Sequence, residues 1–356
     1  MNQLDRIRQV LDDRGLDALL ITDEKNQRYA AGFPFTDGVV LVTQKKAWLL
    51  TDPRYIEAAQ SAEGVELQCF DREHPLHALL REDLAAVGAV RVAAEDEKLS
   101  HWDYLELERA LGTKLIGAGD LLAALRASKS EEELVCMREA QAIAERAFEE
   151  LLPMLRAGVT ERELAASLVY LTMKHGSEMN AFDPIVVSGA RTSMPHGVPT
   201  DAVVEKGSFV TLDFGCVKHG YCSDMTRTVA VGSVTDEMRS VYDTVLRAQL
   251  AGIASARAGV RGCEIDAAAR RVIAEAGYGE YFGHGFGHGL GLDIHESPSA
   301  NARGETPMPL NAVCSAEPGI YLPGRFGVRI EDVMILRGNG CELITKTPKQ
   351  LLVLDA

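Results

Sequence analysis

The chain has 356 residues, 46% hydrophobic and 25% charged, with a formal net charge of −15. That length accommodates two domains with cores of their own, and the acidic balance speaks against nucleic acid or an anionic membrane as partner. No apolar run approaches the ~18 residues of a membrane span, and seven scattered cysteines without a Cys-x-x-Cys give neither a disulfide framework nor a zinc knuckle.

Met1-Asn2-Gln3-Leu4-Asp5 opens an amphipathic helix with no apolar signal core behind it, and Leu4, Ile7 and Leu11 continue its stripe. A reducing cytoplasm with buried or inert thiols is the expectation. Short apolar runs at 17–22, 38–43, 47–51, 66–70 and 91–94 read as strands, with helices at 75–87 and 101–111 between them. This is an α/β domain spanning 1–122. Thr51-Asp52-Pro53-Arg54-Tyr55 reads as a turn leading into a helix, and His74, His77 and His101 as surface or capping residues.

The polar stretch 123–133 marks the boundary to a second domain, 123–356. Ser130 with Glu133, and Thr160 with Glu163, are capping boxes that start helices running to about 155 and 175. Strands follow, and then the order recurs: a helix at 235–258, a break at Gly259, a helix at 263–276, and strands to the end. The breaks match in sequence. Ala157-Gly158-Val159 before Glu163-Leu164 parallels Ala258-Gly259-Val260 before Glu264-Ile265. The pattern predicts an internal two-fold repeat in an α+β domain, helices outside, strands meeting at the centre, and a site between the halves.

Segments 209–215 and 221–229 alternate as strands. With Lys218 and His219 as the two loop residues, Asp213 would lie directly opposite Asp224. Like charges so placed need a shared proton or a cation between them; a frayed hairpin with splayed carboxylates is the bland alternative. The stretch 283–296, GHGFGHGLGLDIHE, is too glycine-rich for a helix. It fits neither a dinucleotide loop nor His-Glu-x-x-His, yet clusters His284, His288 and His295. Pro318 leaves Glu317 at the tip of a strand at 312–316. In the strand predicted at 326–335, Arg329 and Glu331 share a face, where a solvated ion pair is the ordinary reading.

Asp213, Asp224, His288, Glu317 and Glu331 are therefore candidate ligands. Four carboxylates and one imidazole balance two divalent ions and suit Mn²⁺, or Co²⁺ and Zn²⁺ less selectively. Two such metals can share a hydroxide and hydrolyse an amide or ester. There is no Gly-x-Ser-x-Gly elbow and no Walker A loop to support a competing chemistry.

In this order the motifs resemble the proline-specific pita-bread metallopeptidases, aminopeptidase P and prolidase (Xaa-Pro dipeptidase). They are PHG at 195–197, LDFG at 212–215, SDMTRT at 223–228, GHGLGLDIHE at 287–296, EPGIY at 317–321 and VRIED at 328–332. Asn26-Gln27-Arg28-Tyr29 with Gly32-Phe33, and 51–55, resemble that family's amino-terminal domain. The resemblance implies a dinuclear site, with Asp213 on one metal, Asp224 and Glu331 bridging, and His288 and Glu317 on the other. It further implies that Glu317 shuttles a proton and His295 stabilises the oxyanion. His196 and His284 would line the substrate pocket, catalytic and substrate-binding together, and Tyr321 and Arg329 would support the site or contact substrate. Proline-containing peptides are the implied partners and a homodimer the implied assembly. The alternative is an inactive or creatinase-like member of the fold, acting as a binding module or amidinohydrolase; intact ligand positions count against it. Methionine aminopeptidase shares the fold but lacks the added first domain.

Overall fold

A computed structural model describes residues 2–32 and 37–355; Met1, Ala356 and Phe33 of the first-domain motif lie outside them. Two compact units divide the chain, Met1–Arg126 and Ala127–Ala356. The expected break at 122/123 falls inside a helix, α5 below, whose Leu121 and Leu122 are buried.

The first unit is a mixed sheet flanked by helices. Its strands are β1 (Ala18–Ile21), β2 (Gly38–Thr43), β3 (Ala47–Thr51), β4 (Glu66–Cys69), β5 (Val92–Ala94) and β6 (Ile116–Gly117), in spatial order β4-β3-β2-β1-β5-β6. β1 and β3 are buried along their whole length, which is why they read as continuous apolar runs rather than alternating ones. Helices α1 (Gln3–Asp13), α2 (Glu24–Ala31), α3 (Leu76–Val87), α4 (His101–Leu111) and α5 (Gly119–Arg126) complete the unit. The buried residues of α1 are Leu4, Ile7 and Leu11, the stripe seen in the sequence. His74, His77 and His101 are exposed. Cys69 is exposed rather than buried, and partial desolvation and Asp71 raise its thiol pKa.

The second unit contains the repeat. Helix α6 (Glu131–Leu151) has 21 residues and α8 (Asp236–Ser255) has 20; α7 (Glu161–Lys174) and α9 (Gly262–Glu275) have 14 each. The predicted capping boxes at Ser130 and Thr160 are both formed. Each break is tied down alike. Gly158 N–H donates to Val204 O and Gly259 N–H to Met308 O, while Val204 and Met308 donate back to Val159 and Val260. The first half contributes β7 (Met179–Asn180), β8 (Ile185–Ser188), β9 (Ser208–Phe214), β10 (Cys216–Lys218), β11 (Tyr221–Cys222) and β12 (Met225–Val231). The second contributes β13 (Gly287–Gly289), β14 (Glu296–Ala300), β15 (Val313–Ala316), β16 (Gly319–Leu322), β17 (Phe326–Arg329), β18 (Asp332–Arg337) and β19 (Gly340–Leu343); β20 (Val353–Leu354) returns to pair with β12. The sheet orders are β20-β12-β9-β8 and β14-β13-β15-β18-β19.

Two strand expectations need correction. The hairpin turns at His219-Gly220, with Lys218 opposite Tyr221 and Val217 opposite Cys222. His219 and Gly220 have φ of 51° and 78°, the left-handed pair of a type I′ turn that places glycine second. Moving the turn by one residue shifts the pairing, so Asp213 faces Thr226, not Asp224. The ladder also splits at Gly215, where an added Cβ would lie 2.0 Å from Ser223 O. The strand expected at 326–335 breaks at Ile330-Glu331, because the Glu331 N–H donates across to Thr226 O instead of continuing a ladder. Arg329 and Glu331 are both buried, not solvated.

Candidate active site

The candidate ligands stand at strand ends and beside strand breaks. Asp213 is near the end of β9, Asp224 immediately precedes β12, and Glu331 immediately precedes β18. Asp224 and Glu331 thus hold matching places in the two halves. Glu317 follows β15 and His288 is the middle residue of β13. Ligand atoms of Asp224, His288 and Glu331 lie within 4.8 Å of one another. His288 Nε2 is 3.4 Å from Asp224 Oδ2 and 3.4 Å from Glu317 Oε1.

Asp213, Asp224 and Glu331 are buried, and one oxygen of each (Asp213 Oδ1, Asp224 Oδ1, Glu331 Oε1) has no hydrogen-bond partner. Burying an unsatisfied carboxylate oxygen is costly. Convergent anionic oxygens beside an imidazole nitrogen are the donor set of a hard or borderline divalent cation, so the residues present fit a metal centre.

Buried and crowded together, the carboxyls of the cluster hold their protons more tightly than usual. Burial, with Asp224, Glu317 and Asp213 adding to it, holds the Glu331 carboxyl well above the usual range. Burial pushes Asp224 up to about 6 and Glu317 up to about 7, with His288 and Arg329 opposing. Burial would lower His288, but Asp224 and Glu317 carry it up to about 9. Its Nδ1 lies 3.2 Å from Gly289 O; the N–H donates there and Nε2 turns to the carboxylates, the orientation a ligand needs.

A ring of buried polar groups holds these side chains. Thr226 Oγ1 donates to Glu331 Oε2 at 2.7 Å and accepts from Arg329 Nε at 3.1 Å. Arg329 also donates to Asp213 Oδ2, the Tyr321 hydroxyl and Pro195 O. Ser315 Oγ accepts from His288 N–H at 3.0 Å and donates to Glu317 Oε1 at 3.1 Å. Asp224 N–H points to Gln141 Oε1 on α6 at 3.4 Å. The sequence reading missed Thr226, Ser315 and Gln141. Strand alternation offered a signal for two of them, since Thr226 shares a face with Asp224, and Ser315 with Glu317; nothing in the sequence pointed to Gln141.

The cluster forms the floor of a cavity of about 570 Å³. Phe182, Pro184, Ile185, Val198, Pro199 and Ile294 give it an apolar wall, while His196, His284, His295 and Arg329 supply polar groups. The His295 ring meets the His288 ring edge-on at 4.2 Å. His295 is held below the ordinary histidine pKa by burial and by His288 and His196. His284 is pushed down to about 4 by burial and Arg329. Tyr321 stands behind this wall rather than in it; its hydroxyl lies 2.8 Å from His284 Nε2.

Residues 135–337 match metallopeptidase family M24, and residues 3–128 match the creatinase/prolidase N-terminal domain. The chain belongs to metallopeptidase family M24. Among solved structures, this M24 peptidase is similar to an Xaa-Pro dipeptidase from Bacillus anthracis, at 41% identity and a TM-score of 0.95 over 99% of each chain. It is also similar to an X-Pro aminopeptidase from Thermotoga maritima, at 38% identity and a TM-score of 0.92 over 99% of this chain and 100% of that one. An Xaa-Pro dipeptidase of Pyrococcus horikoshii is 35% identical over 98% of this chain and 97% of the relative. The pita-bread fold with its added first domain is therefore shared along the whole length. No helix among the described residues is long and apolar enough to cross a membrane.

Proposed function

We propose that this chain hydrolyses the Xaa-Pro peptide bond of short peptides, releasing the residue before proline. One observation carries the reading: three buried carboxylates, Asp213, Asp224 and Glu331, each with an unpartnered oxygen, line one largely apolar cavity, and two of them, Asp224 and Glu331, meet at His288. Relatives named Xaa-Pro dipeptidase and X-Pro aminopeptidase support the substrate class; both names stand because relatives of similar identity carry each.

Asp213, Asp224, His288, Glu317 and Glu331 would hold two divalent ions, with Mn²⁺ favoured by the oxygen-rich set. When bound, such ions supply Lewis acidity to an amide carbonyl and to water. The chain's own residues supply the rest. Glu317, whose Oε1 lies 3.4 Å from His288 Nε2 just after the end of β15, would act as the proton carrier. It is placed to deliver that proton to the leaving proline nitrogen, which as a tertiary amide carries none. His295, kept neutral, offers an N–H to charge developing on the carbonyl oxygen. His196 and His284 flank the substrate, and Phe182, Ile185, Val198 and Ile294 form a surface for the pyrrolidine ring. Arg329 and Tyr321 act from behind, holding Asp213 and His284 in place.

Seven free cysteines support a reducing cytoplasm, and the family resemblance supports a homodimer. The deciding experiment strips the protein of metal, resupplies Mn²⁺, Co²⁺ or Zn²⁺, and compares Xaa-Pro with Xaa-Pro-Xaa peptides. Turnover of either supports the reading, and their ratio separates dipeptidase from aminopeptidase. No turnover with any ion would end it.

A further inference from the structure

The wall of the cavity is fastened by a carboxylate that belongs to neither the candidate metal cluster nor the cavity. Glu161, the first residue of α7, is fully buried. Its Oε1 accepts from the Ser188 N–H at 2.7 Å and the Ser188 hydroxyl at 3.1 Å. Its Oε2 accepts from the Thr200 N–H at 3.0 Å and the Thr200 hydroxyl at 2.9 Å. Arg191 Nε lies 3.1 Å from both oxygens and neutralises them.

Ser188 and Thr200 are the two feet of segment 189–199. That segment supplies Pro195, His196, Gly197, Val198 and Pro199 to the cavity lining. One carboxylate therefore closes the base of the loop. Arg191 then donates from Nη2 to Val198 O at 2.6 Å, tying the two arms of the loop together. The inner side is fixed separately, by Arg329 on Pro195 O and by the Gly327 N–H on Thr192 Oγ1 at 2.8 Å.

The second half reaches the same arrangement from a different position. Asp266, buried one turn into α9, accepts from the Phe286 N–H at 2.9 Å and is paired with Arg270. Arg270 donates onward to the carbonyls of Phe282 and His284. Offset by 101 from Glu161 is Gly262, not Asp266. A buried carboxylate–arginine pair thus holds each histidine-bearing segment of the wall without being a copied residue. Charge-assisted bonds of this kind are the strong ones, and breaking one partner leaves a buried group unpaired.

We propose that Glu161 is a positioning residue for substrate: through Ser188, Arg191 and Thr200 it fixes the loop that presents His196 and contributes Val198 to the apolar surface facing the proline ring. The inference rests on the proposed Xaa-Pro reading for the identity of the substrate. Loosening the loop weakens substrate binding while the ligand cluster, held by other bonds, keeps its ions.

The test compares wild type, Glu161→Gln and Arg191→Met, each loaded with Mn²⁺. The expected result is a KM for an Xaa-Pro peptide raised about tenfold, the equivalent of one charge-assisted hydrogen bond, with kcat and bound manganese close to wild type. Hydrogen exchange should quicken at the Ser188 and Thr200 amides and not at Glu331. If Glu161→Gln does not fold, Arg191→Met, whose side chain is partly exposed, decides alone. An unchanged KM in a folded variant overturns the proposal, as does loss of manganese with KM unaffected. If wild type cleaves no Xaa-Pro substrate, the peptidase reading fails, and the exchange pattern still decides whether Glu161 clamps the loop.

Discussion

Thr226 and Glu331 hold each other at two points: the Glu331 N–H donates to Thr226 O at 3.1 Å, and the Thr226 hydroxyl donates to Glu331 Oε2 at 2.7 Å. Thr226 belongs to the first half of the repeat and Glu331 to the second. The contact ends one strand, begins another, and turns the Glu331 carboxylate toward Asp224 and His288. Thr226→Val keeps the shape and removes the hydroxyl. It leaves Arg329 Nε without its acceptor and Glu331 Oε2 without its donor, a loss of about 1–3 kcal/mol. Divalent-ion affinity, read by titration, should fall about tenfold with a lower thermal midpoint. Unchanged affinity would mean the backbone bond alone aims Glu331.

Asp213 is gripped on one oxygen by Arg329 and unpartnered on the other. Asp213→Asn removes one anion from the set proposed to balance two dications. Bound metal after dialysis should drop by about one ion per chain, and turnover should fall with it. Full metal content together with full activity would take Asp213 out of the ligand set.

His284 sets an acid limit on stability. Its Nδ1–H donates to Gly285 O at 2.9 Å, and its Nε2 accepts from the Tyr321 hydroxyl. Burial and Arg329 push its pKa from the ordinary 6.5 to about 4. Between those values the unfolded chain binds the proton and the folded chain does not. The stabilisation is whole above pH 6.5 and drains as the pH falls through about 4. His284→Gln cannot take up the proton. Between pH 7 and 4.5 the urea midpoint of wild type should fall further than that of the variant, by up to about 2–3 kcal/mol in stability. Parallel curves would show that His284 titrates normally.

Gly215 lies where the β9 and β12 ladder gives way to the β10 and β11 hairpin. A methyl group there would meet Ser223 O at 2.0 Å and the Ala181 side chain at 3.1 Å. Neither backbone can yield without moving Asp213 or Asp224. Gly215→Ala should therefore cost more than about 3 kcal/mol and lower metal content as well as the thermal midpoint. A stable variant with full metal content would show that the two ladders can slide independently.

The sequence by itself determined the elements, the repeat and the candidate residues. Hydrophobic period, capping boxes at Ser130 and Thr160, and glycine breaks at Gly158 and Gly259 are local signals, because the forces that set them act within a few residues. Glu317 at the tip of its strand was legible for the same reason, and so was the glycine-rich run around His288; Asp224 and Glu331 read as strand residues, where the structure has each just before a strand begins. The pairing of Asp213 was not. Hairpin register hangs on which residue takes the left-handed turn, and Lys218-His219 and His219-Gly220 differ by a single step. Only the tertiary structure decided what stands behind the site. Glu331 leaves its ladder for Thr226, Gln141 reaches Asp224 from a distant helix, and Glu161 closes the base of a loop. Each of these is a long-range hydrogen bond that a buried polar group must find somewhere, and the partner becomes known only once the halves have packed.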